Sequence, residues 1–92
     1  MKWNAIPAPD LYLRSWDDET VVYNGLSGDT HLISAAAADI LAELRRGPMD
    51  QASLLSSMAA LWETQPDPEL DAGIGQLLAE LDTLGLVVQV SP

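Results

Sequence analysis

A small α+β domain, strands first and helices after, is what this 92-residue sequence predicts. Three observations predict it. Residues 11–33 are β-branched and aromatic runs broken by short turn clusters. From Ser34 onward the apolar residues take helical spacing, with Ala37, Ile40, Leu41 and Leu44 at i, i+3, i+4 and i+7. A last β-prone run, Leu86 to Val90, closes the chain. The length makes one domain, and folding should reduce about 14,400 Å² of surface to about 5,200 Å², enough for one modest core.

Leu11 to Trp16 reads as the first strand, bounded by Pro7, Pro9 and Asp10 before it and Asp17-Asp18 after it. Thr20 to Tyr23 is the second, and Asp17-Asp18 the turn between them, since aspartate tolerates turn geometry. Asn24 to Asp29, with two glycines, leads to a third short strand, Thr30 to Ile33. Short turns between three strands make an antiparallel meander. Ser34 caps the first helix, which Gly47-Pro48 stops after Arg45 and Arg46. Asp50 caps a second helix with Leu54, Leu55, Met58, Leu61 and Trp62 on its apolar face. Asp67 caps a third with Pro68 at its first position, where a missing N–H does no harm. Its face is Leu70, Ile74, Leu77, Leu78, Leu81 and Leu84, and Gly85 ends it in the left-handed conformation. Gly73 and Gly75 inside this helix serve close packing, a groove, or nothing at all; the spacing leaves the three open.

This order, three strands, three helices and a terminal strand, is winged-helix-like. Residues 1–10 read as an N-terminal arm and 11–92 as the domain. Trp3 in that arm either anchors a partner or folds back over the sheet, while Trp62 reads as core.

Winged helices often bind DNA, and the charge excludes it here. Fourteen acidic residues against four basic ones give a net charge of −10. The third helix carries Asp67, Glu69, Asp71, Glu80 and Asp82 and no cation. Phosphates would repel it, and it has no arginine to read guanine edges. An anionic membrane surface is disfavoured for the same reason, and no apolar run approaches the ~18 residues of a span. A basic or apolar partner is favoured, unless the charge serves solubility alone. The first ten residues lack the apolar stretch of a secretory signal, so a cytoplasmic protein is expected.

No enzyme chemistry is visible. Cysteine is absent, and there is one histidine and no EF-hand order of carboxylates, so neither metal nor cofactor is expected. Ser27, Asp29 and His31 lie too close along the chain to surround a substrate as a triad. Gly25 and Gly28 lack the rest of a phosphate loop. The Asp-Ser-Leu attachment signature of the similarly acidic acyl carrier proteins is missing. His31 reads as an ordinary strand histidine before a pH-sensitive contact.

The stretch Ser27-Gly28-Asp29-Thr30-His31-Leu32-Ile33-Ser34, followed by Ala36, Ala37 and Ile40-Leu41, resembles the strand-to-helix core of PqqD-like proteins. Leu77, Leu81 and Leu84-Gly85-Leu86-Val87 resemble their C-terminal signature. The resemblance spans about Leu11 to Val90 and is nearest the subgroup called HPr-rel-A system PqqD family peptide chaperones. Arg45-Arg46-Gly47 stands where many relatives have Cys-Asp-Gly. The resemblance implies a non-catalytic peptide-binding module, a precursor-peptide recognition element serving a modifying enzyme or an HPr-kinase-related protein. It implies that a peptide adds to the strand Thr30, His31, Leu32 and Ile33 and lies along Ile74, Leu77, Leu78 and Leu81 of the third helix. The amphipathic pattern alone assigns those four helical residues to the core. The alternative is a structural protein that docks on a larger protein of the same locus, or dimerises, through its acidic surface or a sheet edge.

Overall fold

The computed structural model describes residues 2–6, 11–16, 19–25 and 28–90. Its elements are β1 (Lys2–Ala5), β2 (Leu11–Trp16), β3 (Glu19–Asn24), β4 (Thr30–Ser34), α1 (Ala35–Arg45), α2 (Gln51–Leu61), α3 (Pro68–Thr83) and β5 (Val87–Val90). The strands β2, β3 and β4 form the expected antiparallel meander, in that order across the sheet. Val21 faces Arg14 on one side and Leu32 on the other. The expected turns at Asp17-Asp18 and around Leu26-Ser27 lie outside the described residues.

Each helix starts where a side chain accepts a backbone N–H that the first turn leaves without an intrahelical partner. Ser34 Oγ accepts from the Ala37 N–H at 3.2 Å, Asp50 Oδ1 from Ser53 at 2.7 Å, and Asp67 Oδ1 from Leu70 at 2.8 Å. The end of α3 is a Schellman turn. Gly85 has φ +76°, the Leu86 N–H donates to the Leu81 carbonyl at 3.0 Å, and the Gly85 N–H to that of Asp82 at 3.0 Å. The turn sends the chain into β5.

The N-terminal residues differ from the expected arm. Lys2–Ala5 is a strand, antiparallel to β5 from Lys2 opposite Val90 to Ala5 opposite Val87. Trp3 also exchanges two backbone hydrogen bonds with Met49, at 2.8 and 3.0 Å. Its ring is half-buried against the core. The reason is non-local: the segment gains its order from residues more than forty positions away. Such pairing leaves no trace in a four-residue pattern.

The core is contiguous. Val22 and Ile33 of the meander meet Ala37, Ile40, Leu41 and Leu44 of α1, with Leu54 and Met58 of α2, Ile74, Leu78 and Leu81 of α3, and Leu86 and Val87. Helix α1 is the shared element, touching β1, β3, β4, α2 and α3. Leu61, expected on the inward face of α2, is 57% exposed. It sits in the last turn, and Ala59 takes the buried position there.

Candidate functional site

The strand β4 is a sheet edge. It pairs with β3 alone, so among the described residues its other side offers its N–H and C=O groups to no strand. Its side chains alternate as the pleat requires. Ile33 points into the core, His31 on the same face is half-buried, and Thr30 and Leu32 are exposed on the opposite face.

Beside the end of this edge lies a cleft between the first turn of α1 and α3, of about 360 Å³. Ala36, two residues past Ser34, contributes one wall; Leu70, Gly73, Ile74, Leu77 and Glu80 of α3 contribute the other; Trp62 closes the end. Along α3 these residues recur at i, i+3, i+4, i+7 and i+10, which is one helical face. Gly73 leaves the wall open, since a Cβ there would meet nothing within 4 Å. Gly75 serves the other purpose open to it, close packing: a Cβ there would sit 3.2 Å from Gln51 Nε2. That amide donates to the Asp71 carbonyl at 3.1 Å and to Asp71 Oδ1 at 3.0 Å, tying α2 to α3.

Trp62, read from the apolar pattern of α2 as core, packs half-buried against the core rather than within it. It is the C-terminal cap of α2, half-buried, and its indole Nε1–H donates to Asp39 Oδ2 of α1 at 2.7 Å. A half-buried indole needs such an acceptor. The bond holds the ring as a fixed wall of the cleft.

The eight residues expected to take a peptide fall into two groups. Thr30, His31, Leu32 and Ile33 do lie together on the open edge. On α3, Ile74, Leu78 and Leu81 have no exposed surface, and Leu78 and Leu81 belong to the core alone. Leu77 is half-buried and lines the cleft, and Ile74 forms part of its floor. Two adjacent leucines on one amphipathic helix cannot both face inward equally, and a sequence does not say which is at the margin. Ala36, Trp62, Leu70, Gly73 and Glu80 were missed as lining residues. Gly73, a glycine inside a helix that pays for it in propensity, was the one local signal.

Among the described residues, no group of three or more His, Asp or Glu is placed to hold a metal ion, and no helix is long and apolar enough to cross a membrane.

The α+β fold that carries this edge and cleft is shared with solved structures. One, described as TbiB1 in complex with the TbiA(beta) leader peptide, superposes with a TM-score of 0.69 at 16% identity, covering 97% of this chain and 99% of that one. Another, lasso peptide synthetase B1 complexed with the leader peptide, gives a TM-score of 0.66 at 20% identity over 95% of this chain and 98% of the other. No family model and no curated protein matches the sequence.

Proposed function

We propose that this protein is a non-catalytic peptide-binding adaptor that receives a precursor peptide as an added strand along β4, with a side chain of that peptide seated in the cleft against α3. The observation that carries the reading is the open edge of β4 ending at an apolar cleft. An added strand satisfies the edge's main-chain groups, and pockets for alternate side chains supply selectivity. Two proteins of this fold are described in complex with leader peptides, which supports the same use here. Thr30, His31, Leu32 and Ile33 would act through their backbones, and Leu77, Leu70, Ile74 and Trp62 through their apolar surfaces.

On this reading the protein is a PqqD-like peptide chaperone of the HPr-rel-A subgroup that acts in the cytoplasm for a modifying enzyme or an HPr-kinase-related protein; the resemblance of its strand-to-helix stretch and C-terminal residues supports that reading. The reading assigns it no catalytic residue, metal or cofactor. The alternative, docking or dimerisation through a sheet edge, draws on β5, whose Val88 and Val90 are 46% and 40% exposed.

The test is a backbone-amide titration of the full chain with a short peptide encoded beside its gene, repeated on Gly73→Leu. The expected result is shifts confined to Thr30–Ser34 and the cleft side of α3, with affinity at least about tenfold weaker in the variant, as loss of one buried aliphatic contact would give. Shifts confined to β5, or none, overturn the reading.

A further inference from the structure

We infer that the peptide taken by this site is cationic, with Lys or Arg flanking the apolar side chain that enters the cleft. The inference rests on the peptide-binding reading and adds the chemistry of the peptide.

The placement of charge carries it. Glu80 rises from α3 at the cleft. Glu19 lines a second hollow, along Leu32, Ile33 and Ser34 of the edge strand itself. Glu69 is exposed one turn before Gly73. Asp39 stands beside the cleft and accepts the neutral indole N–H of Trp62 at 2.7 Å, which orients its carboxylate there. None of the four cations lines either hollow. Lys2 is on β1, in the other sheet. Arg14, on β2, shares a separate hollow with Thr30, at the end of β4 away from the cleft. Arg45 and Arg46 close the far end of α1, about 14 Å along the helix from Ala36, and Arg46 pairs with Glu43 at 3.7 Å.

A peptide laid along the Ser34 end of β4 and into the cleft therefore passes Glu19 and Glu80 and meets no cation among the residues that line either hollow. The net charge of −10 adds the same sign at long range, which speeds the approach of a basic peptide and slows that of an acidic one. The apolar cleft supplies depth, and the charged rim supplies choice between peptides that fill it equally well.

The experiment is selection of a random twelve-residue peptide library on the full-length protein, with the enriched peptides located by amide shifts. The expected result is binders that shift Thr30–Ser34 and α3 and carry one bulky apolar residue with an excess of Lys or Arg within three positions of it. Glu80→Gln and Glu19→Gln, both at exposed positions, should each weaken those binders by about two- to fivefold, the range of a single exposed ion pair. Raising the salt should weaken them further. Binders at this site that are neutral or acidic as often as basic, or that ignore both substitutions, overturn the inference and leave the peptide-binding reading standing. A selection that yields no binder at the site overturns both.

Discussion

Leu77 and Leu78 are neighbours on α3 with opposite duties, and substituting each by alanine separates fold from function. Leu78 has 0% relative exposure and packs in the core. Removing three of its carbons deletes buried apolar surface and leaves a cavity that relaxes only in part. Such substitutions cost about 2–5 kcal/mol, against a total stability of about 5–15 kcal/mol for a domain of this size. At roughly 4–8 °C per kcal/mol, Leu78→Ala should lower the melting temperature by at least about 8 °C. Leu77 is half-buried and lines the cleft. Leu77→Ala forfeits about half of a full burial term, near 1 kcal/mol, and melts only about 4–8 °C lower. On the proposed reading a bound peptide covers the same leucine, so its loss should weaken a groove-binding peptide by about three- to tenfold. The assay is a thermal melt by circular dichroism and a peptide titration on each variant, the latter at a temperature where both are folded. Equal melting of the two variants, or a larger affinity loss in Leu78→Ala than in Leu77→Ala, would refute the division of the helix into core and cleft residues.

Three further outcomes follow from single positions. Gly85→Ala should destabilise by about 1–2 kcal/mol in a denaturant melt, because φ is +76° and the added methyl meets nothing that could compensate. Gly73→Ala should do the reverse, gaining roughly 0.5–1 kcal/mol of helix stability in the same melt while narrowing the cleft and weakening the peptide. The Asp50 carboxyl is held below its ordinary value chiefly by the Ser53 backbone N–H, with the Ser53 side chain second. Its folded value is therefore lower than its unfolded one, so its stabilisation is complete above the unfolded value of about 3.9 and disappears as pH falls through the folded value. The stability advantage of the wild type over Asp50→Ala, from urea melts at a series of pH values, should be constant from pH 7 to 5 and shrink below pH 4; an advantage that grows in acid would contradict the cap.

Features with local causes are legible in the amino-acid order. The caps Ser34, Asp50 and Asp67 and the glycine stop at Gly85 stand where their residue types demand, because a cap needs only a side-chain oxygen or a missing Cβ within a few residues of the helix end. The meander was legible for the same reason: its strands are joined by short connections, and alternation placed Val22 and Ile33 inward. Tertiary structure alone decided the rest. Lys2–Ala5 became a strand only because Val87–Val90 and Met49 lie beside it. Leu77 came to the cleft and Leu78 to the core because the orientation of α3 against α1 sets the boundary within an apolar stripe that both share. Trp62 stands at the margin of the core as a cleft wall, where Asp39, twenty-three residues away, accepts its indole N–H. Periodicity says which side of a helix is apolar; where that side stops being buried depends on the neighbour packed against it, and that neighbour is not written in the helix.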